Sequence, residues 1–133
     1  MKTVEKVWGS ELWIANNDLY CCKVLSVDLG YRCSYHMHKI KDETFYVLRG
    51  IILMKHNNKE FFMSKESLPL RIYPGEYHSF VAMSRNVKII EGSTQHFDGD
   101  SYREDKSCLV GQKEFGEYMK LMMESNMWRN ENG

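Results

Sequence analysis

The chain has little that would send it to a charged partner or into a membrane. Lysine plus arginine equals aspartate plus glutamate, 18 against 18 in 133 residues. No net field therefore steers it to nucleic acid or to an anionic bilayer. No apolar run approaches the roughly 18 residues of a membrane span, and no charged-then-apolar leader opens the sequence. The expectation is a cytoplasmic protein with neither nucleic acid nor membrane as a partner. The four cysteines, Cys21, Cys22, Cys33 and Cys108, show no C-x-x-C spacing, which points to free thiols in a reducing compartment. Proline is scarce, with two in the chain, and neither repeats nor low-complexity segments occur. The length suits one domain with its own core, residues 1–133.

What is present is a succession of short β-type segments. Glu11 to Ala15 reads as a strand and Asn16-Asn17-Asp18 as a turn. From Leu19 to Leu29 the alternation places Leu19, Cys21, Leu25, Val27 and Leu29 on one face. Lys23 falls on that face too, either as a strand-end lysine reaching outward or as a cation inside a pocket. Beyond Gly30, period two puts Arg32, Ser34, His36 and His38 on one side and Cys33, Tyr35 and Met37 on the other. Further strands are expected over Glu43–Leu48, Ile51–His56, Glu60–Met63, Leu70–Tyr73, Tyr77–Met83 and Val87–Glu91. Asn57-Asn58 suits a two-residue hairpin turn, and Pro74-Gly75-Glu76 a second turn. The barrel so read covers about 11–95, and a polar connection covers about 92–107. An amphipathic helix follows over about 112–128, with Phe115, Tyr118, Met119, Met122 and Met123 on its apolar face. Short antiparallel strands with tight turns and one appended helix give an all-β sandwich or jelly roll.

One constellation carries chemistry. His36 and His38 leave the same face of a strand, with Cα atoms roughly 7 Å apart. Glu43 follows a four-residue turn, and His78 arrives from a later strand. Three imidazoles and a carboxylate suit one divalent transition metal, Zn, Fe, Mn, Ni or Co. Four protein ligands leave one or two positions for water or substrate, the pattern of a catalytic site. His56, beside the hairpin turn, is left out of the set.

Gly30, His36, His38, Glu43 and Gly50 match the first motif of the cupin superfamily at every fixed position. Of the second motif, Gly75 and His78 match, whereas Ser67, Tyr73 and Ala82 replace the usual Gly, Pro and Asn. The resemblance implies a double-stranded β-helix barrel with a metal held by His36, His38, Glu43 and His78. A looser one joins Val7-Trp8-Gly9-Ser10 and the run from Ile90 to Arg103 to the cupin domain of type II mannose-6-phosphate isomerases. In place of that family's Q-x-H-x-x-R-x-E-H-W core, this chain has Tyr35-His36-Met37-His38 and Lys41-Asp42-Glu43-Thr44-Phe45.

The leading functional expectation is an isomerase or epimerase acting on a sugar or sugar phosphate. Its catalytic candidates are Arg32, Lys23, Tyr46, Glu76 and His96, with Ser34 and Arg71 also near the pocket. Arg32, sharing the histidine face, could hold a phosphate or carboxylate. Lys41 and Asp42 read as turn residues. One alternative is an iron- or nickel-dependent dioxygenase whose pocket is lined by Phe45, Val47, Phe80 and Ala82. Another is a non-catalytic sugar-binding or sensing protein. The apolar strand backs at Cys33, Tyr35 and Met37, together with the Met-rich helix, suggest a homodimer, unless the chain's own ends cover those faces.

Overall fold

A computed structural model describes residues 1–125. Its strands are β1 (Lys2–Lys6), β2 (Gly9–Asn16), β3 (Cys21–Val27), β4 (Tyr31–Arg32), β5 (His36–Met37), β6 (Glu43–Arg49) and β7 (Ile52–His56). They continue as β8 (Lys59–Met63), β9 (Leu70–Ile72), β10 (His78–Ala82), β11 (Val87–Ser93), β12 (Tyr102–Arg103) and β13 (Cys108–Leu109), and α1 (Gln112–Glu124) follows. One sheet runs β1-β2-β3-β11-β6-β9. In the other, β10 lies between β7 and the short pair β4 and β5, with β8 outside β7 and with β12 and β13 beyond β5 and β4. All pairings are antiparallel. Leu25, Phe45, Val47, Met54, Phe80 and Ile89 fill the space between the layers. This is the expected all-β barrel with a terminal helix.

Local chemistry explains the turns. Asn57 and Asn58 take φ of 50° and 66°, the left-handed values a two-residue hairpin needs. Gly50 turns the chain at φ 85°, where a Cβ would lie 2.8 Å from Val87 Cγ2. Phe115, Tyr118, Met119 and Met122 of α1 pack on Ile51, Leu53, Val81 and Met83, covering the outer face of the second sheet. Tyr35 is buried within the chain, its ring 5.3 Å from that of Tyr77. The four cysteines are free. No helix among the described residues is long and apolar enough to cross a membrane.

Several expectations are corrected. Leu19 and Leu29 are exposed, because β3 spans only Cys21–Val27. Asn17 Oδ1 accepts from the backbone N–H of Leu19 and of Tyr20, which curls Leu19 into a turn. Met123 lies on the exposed side of α1. Residues 126–128, the expected end of that helix, lie outside the described residues. Ahead of position 11 the sheet gains β1, which pairs with β2 along its whole length.

The strand expected over Arg32–His38 is broken. Arg32 lies opposite Val81 and His36 opposite His78. One side advances four residues while β10 advances three, which is a β-bulge. The extra residue reverses the side-chain phase, so Cys33 joins the core. Arg32 turns to the other face, beside Asp105 and Cys108.

Candidate metal centre and its cavity

His36 and His78 face each other across β5 and β10. His38 follows β5, and Glu43 opens β6 in the opposite layer. The ligating atoms of the three imidazoles all lie within 4.8 Å of one another. Glu43 Oε2 is 3.3 Å from His38 Nε2 and 3.4 Å from His78 Nε2.

Each ring is oriented by a backbone carbonyl. Nδ1 of His36 bonds to the Ser34 oxygen at 2.7 Å, that of His38 to Asp100 at 2.6 Å, and that of His78 to Glu76 at 3.0 Å. A carbonyl only accepts, so each Nδ1 carries the hydrogen and each Nε2 offers a lone pair inward. Burial is the main reason that His36 is held well below its usual range, with His78 adding to it. Burial, then the charge of Lys41, lowers His38. The rings of His36 and His38 are therefore neutral near pH 7.

This arrangement tests the fit of a metal. Glu43 Oε2 and His78 Nε2 are buried and have no hydrogen-bond partner among the described residues. A buried carboxylate facing two imidazole lone pairs is repulsive by itself. A cation between them removes the repulsion and satisfies the orphaned atoms. The residues fit a divalent transition metal, with His36, His38, His78 and Glu43 to hold it.

The centre opens into a cavity of about 560 Å³. Its second wall is charged and buried. Lys23 is 1 % exposed and Lys41 3 %. Lys23 lies 3.6 Å from Glu11 and 3.9 Å from Glu91, while Lys41 lies 3.3 Å from Glu91 and 3.9 Å from Glu43. Both ammonium groups are 3.2 Å from His96 Nδ1. Burial opposes the charge of Lys41, but Glu91 and then Glu43 outweigh it and its pKa is raised. Burial likewise opposes the Glu91 carboxylate, which Lys41 and Lys23 hold below its usual value. Trp13 donates to Glu11 at 2.9 Å and presents its ring 4.1 Å from the Lys23 ammonium.

Of the sequence candidates, the structure brings Lys23, Ser34 and His96 to the cavity lining with His36, His38 and Glu43, whereas His78 is not part of that lining. Arg32 lies outside its lining, on the face the bulge turned away. Tyr46 donates to the Lys65 carbonyl. Glu76 accepts from Asn57 and from the Tyr73 N–H. Arg71 pairs with Asp42 at the surface. Sequence reasoning passed over Lys41, Glu11 and Glu91. Lys41 is corrected from a turn residue to a buried cation, because Asp100 draws its loop inward. Glu11 and Glu91 were accessible to a period-two count: Glu11 lies opposite Leu25, and Glu91 lies opposite Lys23 and Phe45.

No protein-family model and no curated protein matches the chain. Solved structures do. KdgF from Halomonas sp. aligns with TM-score 0.63 and 17% identity, over 68% of this chain and 81% of its own. The capsular polysaccharide assembling protein CapF from Staphylococcus aureus gives 0.67 and 18%, over 77% and 33%. Oxalate decarboxylase from Bacillus subtilis gives 0.66 and 11%, over 77% and 30%. The chain thus spans about a third of the last two. The names alone cover polysaccharide assembly and decarboxylation, so the likeness speaks for architecture and not for reaction. Barrel topology, motif glycines and these neighbours agree: the chain has the fold of the cupin superfamily.

Proposed function

We propose that the protein is a metal-dependent isomerase or epimerase acting on a sugar or sugar phosphate. The observation that carries this reading is the shared cavity, in which His36, His38 and Glu43, with His78 next to them, face Lys23, Lys41 and His96. A metal held there supplies Lewis-acid polarisation of a substrate oxygen. The Lys41 ammonium supplies fixed positive charge where an enediolate oxygen would develop. Glu11, Glu91 and Ser34 offer polar partners for hydroxyl groups. CapF, a neighbour in fold, is named for polysaccharide assembly, which is consistent with a carbohydrate ligand. Phe45 and Phe80 also line the cavity, but the buried charges of its other wall suit a polyhydroxylated substrate better than the apolar pocket of a dioxygenase.

Metal analysis of protein purified without chelator, followed by a screen over aldose and ketose phosphates, tests the reading. Stoichiometric transition metal and a turnover abolished by His38→Ala are expected. Metal-free protein whose melting temperature is unmoved by added zinc, manganese or iron would sink it. Metal and carbohydrate binding with no turnover of any sugar would leave a sensing protein instead.

A further inference from the structure

Behind the metal centre, the charged wall leads to a line of polar atoms that reaches water. Lys23 lies in the middle of β3 at 1 % exposure, so its ammonium faces the cavity and scarcely meets bulk water. His96 Nδ1 is 3.2 Å from Lys23 Nζ, and His96 Nε2 is 3.0 Å from Asp98 Oδ1. The Asp98 side chain is 94 % exposed. An ammonium only donates, so His96 Nδ1 accepts and its hydrogen sits on Nε2, directed at Asp98. The residue is held in place from two other sides. Asn16 accepts from the His96 N–H at 2.8 Å and donates to its carbonyl at 3.2 Å, and the Trp13 ring meets the imidazole edge-on at 4.9 Å. The other charged groups facing this line are Lys41, 3.2 Å from the same Nδ1, and Glu11 and Glu91 beside the Lys23 ammonium. Burial, then Lys23 and Lys41, hold His96 down to about 4, so it is neutral near pH 7.

We propose that Lys23, His96 and Asp98 form a proton relay between the cavity and bulk water. The relay rests on the cavity being a site of proton transfer to a substrate. Lys23 is then the group that meets the substrate, while His96 and Asp98 act through it as positioning residues. In the outward step a Lys23 N–H bond breaks as His96 Nδ1–H forms, and the Nε2 proton passes to Asp98 and on to water. Lys23 is left as a neutral amine, able to take a proton from a carbon beside a carbonyl and return it to the neighbouring carbon. The reverse steps restore the first tautomer. Nothing is oxidised or reduced, and water is the only co-reactant.

The test needs no substrate. Protein labelled with 15N in lysine and histidine and loaded with zinc is observed by NMR, with the Lys23 signal assigned by its loss in Lys23→Met. The Nε2–H tautomer of His96 is expected. Asp98→Asn keeps the hydrogen bond but cannot carry the proton. It should slow exchange of the Lys23 ammonium hydrogens severalfold, because the outer end of the line then has no group to take the proton, with an unchanged melting temperature. His96→Gln should slow it at least as much. An Nδ1–H tautomer, or an unchanged exchange rate in Asp98→Asn, overturns the relay and leaves the isomerase reading standing. Slowed exchange in a protein that turns over no sugar supports the relay and removes the isomerase instead.

Discussion

The carbonyl oxygen of Asp100 accepts the Nδ1–H of His38 at 2.6 Å, while the Asp100 carboxylate takes the backbone N–H groups of Lys39, Ile40 and Lys41 at 2.8, 3.1 and 3.0 Å. One residue so orients the His38 ring and also shapes the loop that leads to Glu43. Asp100→Ala removes the cradle and lets both drift. The backbone carbonyl remains but is no longer held in place, so affinity for zinc, read by competition with a chromophoric chelator, should fall about tenfold, the low end of what disturbing an outer partner costs. An unaltered affinity would mean that the loop holds its shape without Asp100.

Glu43 makes opposite predictions for the metal-free and metal-loaded protein. Without an ion, its Oε2 is buried and unpartnered beside His38 and His78. Glu43→Gln removes the charge and provides an N–H that either imidazole lone pair can accept. The metal-free variant should melt higher than wild type, by about 1–3 kcal/mol in stability. The rise in melting temperature on adding zinc should shrink. A lower melting temperature for the metal-free variant counts against a site built for a cation.

Acid should weaken the metal-free fold before ordinary carboxylates titrate. His96 is held down to about 4 by burial and then by Lys23 and Lys41, whereas an unfolded imidazole titrates near 6.5. Between those values the unfolded chain binds the proton and the folded chain does not, so stability drops as pH falls from about 6.5 to about 4. His36 and His38 act in the same direction, burial being the main cause for each. Glu91 and Asp100 sit below the usual carboxylate range. Their contribution is present above about pH 4 and is lost as pH falls further. Melting temperatures across this range should decline, and His96→Gln should flatten part of the decline. A level profile from pH 6.5 to 4 contradicts the burial of neutral imidazoles.

Gly116 sits in the exposed middle of α1, and a Cβ there would meet nothing within 4 Å. Gly116→Ala should therefore stabilise the protein by up to about 1 kcal/mol, through helix propensity alone. Urea denaturation reads this directly, and a destabilised variant would show that the helix face carrying Gly116 is covered.

The parts of the site visible in the sequence are those set by local period and turn chemistry. Asn57-Asn58 announces its hairpin, and the spacing of His36, His38 and Glu43 announces that these side chains converge. The bulge after Arg32 was not visible because distant residues create it. Ser107 Oγ takes the Ser34 N–H and Asp105 takes the Tyr35 N–H, from 73 and 70 residues away. That capture moved Arg32 out of the cavity. Lys41 was hidden for a similar reason, since only the return of Asp100 to its loop buries a lysine whose neighbours look like a surface turn. β1 escaped notice because Lys2–Lys6 carries a single apolar residue, Val4, and owes its form to pairing with β2.

Glu43 belongs to one sheet, and His36 and His78 belong to the other. Strand hydrogen bonds run within each layer, so the layers are joined mainly by side chains. An ion shared by these residues would be a clasp between the two layers. Loading it should therefore fix the spacing of the two layers, and emptying it should leave that spacing to side-chain packing alone.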